Sequence, residues 1–189
     1  MNYEHASHQI NRVNGFMGSQ AQREFMLNLA KTTEVAAEIG SFKGLSAVIV
    51  ALGMNSVQRS APGAYYCIDT FEASNVELNS ESTIEEFTRV TREVDHQGCI
   101  KTIRGWSTAP ETLNQIPSNL DWVYIDGDHE TPGVIADIVA YVPKVKPSGL
   151  VLFHDHTWES VKAGIDKCVN DGLISHVCHF DDFGIYRKK

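Results

Sequence analysis

Glu38-Ile39-Gly40-Ser41-Phe42-Lys43-Gly44-Leu45-Ser46 separates two apolar segments of the chain, residues 35–37 and 47–52. The first apolar segment predicts a buried strand, and the second predicts a helix. A glycine turn at the carboxyl end of a parallel strand lets a ligand approach the main chain, and the helix that follows begins with unpaired N–H groups. The stretch therefore predicts a cofactor site in the first third of the chain.

The spacing of the glycines indicates which cofactor is bound. In the dinucleotide fingerprint G-x-G-x-x-G, the second glycine lets a pyrophosphate touch the main chain. Phe42 occupies that position, and the acidic Glu38 precedes the turn. A ligand without a pyrophosphate but with an ammonium group, such as S-adenosylmethionine, fits this pattern better than a dinucleotide. A strand-to-helix turn with incidental glycines is the alternative.

Composition limits the class of protein. The 189 residues suit one domain, and a net charge of −8 disfavours binding to nucleic acid, which needs Lys and Arg for the phosphates. The four cysteines include no C-x-x-C pair, so a structural zinc site is not expected. We find neither a signal-peptide pattern nor an apolar run of membrane-spanning length, and we expect a cytoplasmic protein that does not bind membranes.

Strand-like and helix-like segments alternate along the chain. This alternation predicts a single Rossmann-like α/β domain with a doubly wound, mostly parallel sheet and a C-terminal antiparallel hairpin. The predicted strands are residues 35–39, 64–69, 100–104, 122–126 and 149–155, followed by a hairpin of 177–180 and 184–187. The predicted helices are residues 45–53, 83–96, 108–115, 131–142 and 158–170, and a turn is expected at 147–149.

Two further segments lie outside this alternation. Residues 1–33 are predicted to form an N-terminal helical cap, which leaves 34–189 as the cofactor-binding domain. Residues 72–82 form a long polar stretch, which is either a lid over the site or a plain connection.

Polar residues follow the predicted strands, where ligands bind in open α/β sheets. Asp69 ends the second strand and is expected to accept hydrogen bonds from ribose hydroxyls, with a helix N-cap as the alternative. Trp106 and Ser107 follow the third strand and could flank an adenine or simply pack. The predicted cofactor contacts are Glu38, Gly40, Ser41, Gly44, Ser46, Asp69, Thr70, Trp106, Ser107 and Asp126.

Acids and imidazoles follow the fourth and fifth strands. Asp126, Asp155 and His156 are the predicted ligands of a divalent metal, Mg²⁺ or Mn²⁺, because clustered carboxylates repel unless a cation joins them. Helix capping and solvent-exposed polarity are the alternative. His129 is a candidate general base because imidazole titrates near neutral pH. His129 and Asp126 are thus the predicted catalytic residues, while the directions of Asp128 and His154 stay open.

Five motifs together resemble those of a known family. They are Glu38–Ser46, Ile68-Asp69-Thr70-Phe71, Ile103-Arg104-Gly105-Trp106-Ser107, Val123-Tyr124-Ile125-Asp126-Gly127-Asp128-His129 and Leu152-Phe153-His154-Asp155-His156-Thr157-Trp158. Over residues 34–172 the chain resembles class I S-adenosylmethionine-dependent methyltransferases. The similarity is greatest to the small bacterial group related to macrocin O-methyltransferase and cephalosporin-hydroxylase-like proteins, and it extends to catechol and caffeoyl-CoA O-methyltransferases.

The resemblance implies the class I methyltransferase fold and transfer of a methyl group to a small hydroxylated molecule by direct displacement. Asp126 and Asp155 fall on metal-binding positions of the catechol-type enzymes, His156 replaces an Asn ligand, and His129 replaces a catalytic Lys. The resemblance also implies that an N-terminal segment closes over the methyl donor, through Phe16, Met17, Gly18 and Gln20. Because this cap is short, a homodimer that completes the pocket is a further expectation.

Two other functions stay open at this point. One is a cofactor-binding module of the same fold that lacks activity, and the other is a nicotinamide-dependent oxidoreductase. The residues at positions 126, 129 and 155 argue against the first, and Phe42 argues against the second.

Overall fold

The computed structural model describes residues 3–13, 18–72 and 83–189, and its central feature is a seven-stranded sheet with helices on both faces. The strands are β1 Val35–Ile39, β2 Ala64–Asp69, β3 Ile100–Arg104, β4 Leu120–Ile125, β5 Val145–Phe153, β6 Ile174–Phe180 and β7 Phe183–Lys188. The helices are α1 Tyr3–Ile10, α2 Gln20–Ala30, α3 Leu45–Asn55, α4 Ile84–Val94, α5 Pro110–Leu113, α6 Thr131–Tyr141 and α7 Glu159–Asn170, and a short 3₁₀ helix spans Val142–Lys144.

The order of the strands confirms the predicted fold class. The sheet runs β3-β2-β1-β4-β5-β7-β6, with β1 to β5 parallel to one another. β7 pairs antiparallel with β5, and β6 pairs antiparallel with β7 as the predicted C-terminal hairpin. The chain order reverses between β1 and β4, which is the place where doubly wound sheets bind ligands.

Each face of the sheet is covered by its own core. One core joins α1 to α4 with inward residues of the strands such as Tyr65, Trp122 and Tyr124. The other joins α6 and α7 to residues such as Val123 and Phe153. Helix α3 is buried over almost its whole surface, which explains why its sequence is apolar throughout instead of amphipathic.

Several predicted boundaries differ from the structure. The turn expected at 147–149 lies inside β5, where the register shifts between the Leu120 and Trp122 pairs, and Ser148 has a φ of 61°. Pro and Gly there mark a bulge in a continuing strand instead of its beginning. Helix α5 is shorter than the predicted 108–115. The predicted lid cannot be compared, because residues 73–82 lie outside the described part of the chain.

The N-terminal part contains two helices where one cap segment was expected. Helix α2 buries Met26 and Leu27 against the first core, and α1 buries Ala6 and Ile10 there. All four cysteines are free thiols, and Cys178 is the exposed one. Among the described residues no helix is both long and apolar enough to cross a membrane.

Hydrogen bonds continue the sheet by one residue beyond the strand ends. Gly40 N donates to Ile68 O at 2.9 Å, Asp126 N donates to Ile39 O at 2.9 Å, and His154 N donates to Ile125 O at 3.2 Å. Gly40, Asp126 and His154 therefore stand side by side at the carboxyl edge of the sheet.

Gly40 is the position at which this edge tolerates no side chain. Its φ is +87°, and a Cβ atom placed on it would lie 1.9 Å from the carbonyl oxygen of Asp126. Any other residue would have to separate the ends of β1 and β4.

We predict that Gly40→Ala destabilises the protein much more than Gly98→Ala. Gly98 also has a positive φ, +70°, but nothing lies within 4 Å of its Cβ position. Gly98→Ala should therefore cost only the left-handed strain, about 1 kcal/mol, whereas Gly40→Ala adds a main-chain clash and should cost about 3 kcal/mol or more. Denaturant unfolding measures both values, and equal losses for the two variants would contradict the close packing of β1 against β4.

Candidate functional site

The glycine turn leads from β1 into α3 and leaves the start of this helix open. Gly44, with a φ of +90°, is the N-cap residue, and it offers no side chain to the first N–H groups of α3. Gly44 N donates to Ser41 O at 2.8 Å, which closes the turn. The turn thus presents main-chain donors at the carboxyl edge of the sheet, as the sequence predicted.

Two buried polar atoms beside the turn have no partner among the described residues. Tyr65 OH donates to Glu38 Oε2 at 2.7 Å, but Glu38 Oε1 and Ser41 Oγ receive or make no hydrogen bond. Burial raises the pKa of Glu38, and the nearby hydroxyls of Ser46, Tyr65 and Ser41 and the thiol of Cys67 offset only part of this effect. Because buried polar groups are normally paired, these two atoms fit a polar ligand seated on the turn.

Asp69 braces the glycine turn from the neighbouring strand. Its Oδ2 accepts a hydrogen bond from Phe42 N at 2.7 Å, and its Oδ1 accepts one from Phe71 N at 2.7 Å. Asp69 caps no described helix. Each carboxylate oxygen has a second lone pair, so both can still accept a hydroxyl of a bound ribose.

Trp106 and Ser107, which follow β3, differ in their surroundings. The Trp106 side chain is 74% exposed, so its indole face is free and does not pack in the core. Ser107 Oγ donates to Asp137 Oδ1 at 2.6 Å, and Tyr141 OH donates to Ser107 O at 2.8 Å. The Ser107 hydroxyl is thus already engaged, although its oxygen can still accept a hydrogen bond.

Asp137 was not found by the sequence analysis. It is 2% exposed, and burial raises its pKa to about 6, an effect that the Ser107 hydroxyl reduces and the charge of Asp128 increases. Its signal in the sequence is an acid in the same helical stripe as Val134, Ile138 and Tyr141.

The acid–histidine cluster, which we define as Asp126, His129, His154 and Asp155, lies at the ends of β4 and β5. His154 Nδ1 lies 3.4 Å from Asp126 Oδ1 and 3.2 Å from Asp155 Oδ2. His129 Nε2 lies 3.0 Å from Asp155 Oδ2 and 3.8 Å from Asp126 Oδ1. Two imidazoles therefore face the same pair of carboxylate oxygens.

The cluster is closed on one side and open on the other. The His154 side chain is 9% exposed, whereas that of His129 is 39% exposed, and its ring lies 5.1 Å from the ring of Trp158. An acceptor arriving from solvent would meet His129 first. This placement suits the predicted role of His129 as general base.

Charge within the cluster is balanced by His154. Burial alone would lower the pKa of His154, but the hydrogen bond and charge of Asp126 and the charges of Asp155 and Asp182 raise it to about 9. Burial raises the pKa of Asp126, and His154 opposes that rise. Without another cation, His154 is therefore the positive charge between two carboxylates at neutral pH.

A divalent metal fits this donor set, although with a different third ligand from the predicted one. One oxygen each of Asp126 and Asp155 and one nitrogen of His154 lie within 4.8 Å of one another. Two carboxylates and one imidazole suit Mg²⁺ or Mn²⁺. His156 is not part of this group; its ring centroid instead lies 5.0 Å from that of His179.

His154, the buried histidine of the cluster, lies near residues that the sequence analysis did not identify. Asp182, in the β6–β7 turn, places Oδ2 3.9 Å from His154 Nε2 and accepts a hydrogen bond from the buried Gln22 of α2. Gly18 leaves room for the Gln22 amide, since a Cβ on Gly18 would lie 2.3 Å from Gln22 Oε1. Gly18, one of the residues expected to close over the methyl donor, thus lies against Gln22, which connects α2 to Asp182.

Four other residues that the sequence analysis discussed have separate outcomes. Gln20 donates to Glu24 on the surface of its own helix. Phe16 and Met17 lie outside the described residues. Asp128, whose direction was open, accepts a hydrogen bond from Glu130 N at 2.9 Å in the turn before α6.

The raised pKa of Asp137 predicts a pH-dependent stability difference between the wild type and Asp137→Asn. Since the folded pKa of about 6 exceeds the ordinary value of 3.8, its stabilising effect is present at low pH and is lost as pH rises through 6. Asparagine keeps the acceptor for Ser107 without ionising. The free energy of unfolding of the variant should therefore rise relative to that of the wild type between pH 4 and 7, by up to about 3 kcal/mol. Denaturant unfolding at several pH values tests this, and a difference that does not change with pH would contradict it.

Comparisons with known proteins agree with this geometry. A family model described as a methyltransferase domain matches residues 37–156, more than half of the chain. None of the curated proteins compared with the chain matches it significantly in sequence.

Solved structures show the same fold at low sequence identity. An O-methyltransferase from Bacillus cereus in complex with SAH has a TM-score of 0.70 and 14% identity, covering 98% of this chain and 90% of that chain. The SAH-bound Podospora anserina methyltransferase has a TM-score of 0.71 and 15% identity, covering 98% and 86%. A precorrin-6y C5,15-methyltransferase from Geobacter metallireducens has a TM-score of 0.65 and 12% identity, covering 95% and 96%.

Proposed function

The chain belongs to the methyltransferase-domain family, and we propose that it transfers the methyl group of S-adenosylmethionine to the hydroxyl oxygen of a small molecule with the help of a divalent metal. The observation that carries the proposal is the adjacency of the glycine turn and the acid–histidine cluster. Gly40 and Asp126 are in contact across the ends of β1 and β4, so a ligand on the turn reaches the cluster directly.

The methyl donor is proposed to lie on the turn between Gly40 and Gly44. Glu38 and Ser41 offer buried unpaired oxygens for its amino-acid part, and Asp69 offers acceptors for its ribose. The exposed Trp106 offers an aromatic face for its adenine. When bound, the sulfonium supplies an electrophilic methyl group; the main chain and these side chains orient it.

The acceptor is proposed to lie between the turn and His129. His129 would take the hydroxyl proton at Nδ1, while its Nε2–H donates to Asp155 Oδ2, 3.0 Å away, which would orient the ring and stabilise its protonated form. Asp126, His154 and Asp155 would hold the metal, which when bound lowers the pKa of the acceptor hydroxyl as a Lewis acid. Oxygen is the favoured acceptor atom because this donor set suits hard cations, which prefer oxygen.

The other two functions fit the structure less well. Phe42, with a φ of 44°, lies where a dinucleotide pyrophosphate needs a glycine, which argues against a nicotinamide cofactor. A module without activity would have no need for two imidazoles that each lie within 4 Å of both carboxylates. Thermal unfolding with S-adenosylmethionine, NAD or NADH distinguishes a methyltransferase from a nicotinamide-dependent oxidoreductase, because only a ligand of the folded state raises Tm. Measurement of methyl turnover distinguishes an enzyme from a module without activity.

The role proposed for Asp69 predicts that Asp69→Asn weakens binding of S-adenosylhomocysteine by about tenfold or more, because its carboxylate would accept two ribose hydroxyls. Glu72→Gln is the matched control, since that exposed carboxylate is proposed to touch no ligand. Calorimetric titration of both variants gives the affinities, with Tm as a check on folding. An unchanged affinity in Asp69→Asn would remove the ribose contact.

The role proposed for Asp126 predicts a loss of turnover without a loss of donor binding. Asp126→Asn should lower kcat by about 100-fold. Asp128→Asn should keep full activity, because the Asp128 carboxylate accepts a hydrogen bond from Glu130 N in the turn before α6 and is not part of the acid–histidine cluster. Formation of S-adenosylhomocysteine from S-adenosylmethionine in the presence of a screened hydroxylated acceptor measures the activity of both variants. Full activity of Asp126→Asn, or of the wild type in excess chelator, would exclude the metal mechanism.

A further inference from the structure

A bulge in the edge strand β6 brings two histidines to the same face of the sheet. His176 pairs with Tyr186 and Cys178 pairs with Ile185, so Val177 is an extra residue in β6. His179 then pairs with Gly184. Because paired residues share a face and successive residues alternate, the bulge places His176 and His179 together and Cys178 on the opposite face.

The two imidazoles stand at a separation suited to a shared ion. His176 Nε2 lies 3.2 Å from His179 Nδ1, and both residues are exposed. Imidazole nitrogens bind Zn²⁺ at about 2.0–2.1 Å, so two of them on a tetrahedral ion are about 3.3 Å apart.

A third histidine packs beneath them. Gly184 makes room for His156, since a Cβ on Gly184 would lie 3.0 Å from both Cβ and Cγ of His156. The His156 ring centroid lies 5.0 Å from that of His179, and the residue is 9% exposed. Its Nε2 is buried without a hydrogen-bond partner among the described residues.

The two nitrogens of the His156 ring differ in their surroundings, because Nε2 has no hydrogen-bond partner among the described residues. A hydrogen bond between the ring and the Asp181 main chain engages one nitrogen. Hydrogen bonds of this kind fix the tautomer of a ligating histidine and leave the other nitrogen free for a metal.

We propose that His156, His176 and His179 form a three-histidine site for a divalent transition-metal ion, with Zn²⁺ as its probe. The site is distinct from the acid–histidine cluster, and the inference does not depend on the proposed methyltransferase activity. Imidazole donors favour Zn²⁺, Ni²⁺ or Cu²⁺ over Mg²⁺, whereas the carboxylates of the cluster favour Mg²⁺ or Mn²⁺. Nitrogens of the three rings do not all lie within 4.8 Å of one another in the described structure, so binding of the ion would require the exposed rings of His176 and His179 to rotate toward Nε2 of His156.

The test is Zn²⁺ binding by tag-free protein, measured in competition with a chromophoric chelator. An Asp126→Asn/Asp155→Asn background removes the carboxylates of the cluster and should bind one Zn²⁺ that excess Mg²⁺ does not displace. Adding His176→Ala and His179→Ala should weaken this binding by at least about tenfold, and so should His156→Gln, with Tm recorded for each. Cys178→Ser should leave it unchanged, because Cys178 faces away.

Several results would contradict the three-histidine site. Binding that survives loss of His176 and His179, or that disappears in Cys178→Ser, would overturn the site, as would the absence of Zn²⁺ binding. Unchanged affinity in His156→Gln would also overturn it as a three-histidine site. If the background variant does not fold, the His176→Ala/His179→Ala pair in the wild-type chain should lower the number of bound Zn²⁺ by one, and an unchanged number would reject the proposal.

Discussion

The contact between Gly40 and the Asp126 carbonyl is the constraint on which the rest of the site depends. A Cβ at residue 40 would lie 1.9 Å from that oxygen, so the ends of β1 and β4 meet only because residue 40 is glycine. The contact fixes the height of the glycine turn relative to Asp126. It also leaves a main-chain surface, with no side chain in the way, at the point where the order of the strands reverses.

The charges of the acid–histidine cluster are brought together by the same meeting of strand ends. Hydrogen bonds beyond the strand ends bring the Asp126 and His154 main chains into neighbouring positions, and Asp155, with a φ of 50°, turns its carboxylate toward them. Two carboxylates this close need a cation, and the site can provide one either as the His154 imidazolium or as a bound metal. Asp182 and Gln22 stabilise the position of His154 from behind, so the N-terminal helices and the C-terminal hairpin both contribute to a site located at the centre of the sheet.

The sequence predicted what depends on local pattern. The strand–turn–helix at Glu38 to Ser46, the alternation of strands and helices and the polar residues at strand ends are local signals, and the structure has the strands and most helices where they were expected. Which histidine joins the acid–histidine cluster was not predictable. Strand alternation ends at Phe153, and the choice between His154 and His156 depends on the left-handed φ of Asp155. Asp137, Gln22 and Asp182 were missed because their partners are distant in the sequence. The acceptor cannot be derived from the fold, since structures of the same fold include enzymes named for quite different acceptors.

Calorimetric titration with S-adenosylhomocysteine, with and without Mn²⁺, tests the central claim most directly. The account predicts one binding site per chain with a Kd in the micromolar range, because the turn, Asp69 and Trp106 are already arranged at one edge of the sheet. It also predicts that Mn²⁺ binds without preventing this interaction, since the cluster lies beside the turn and not on it. No binding of S-adenosylhomocysteine under either condition would contradict the account and leave an α/β domain whose ligand is of another kind.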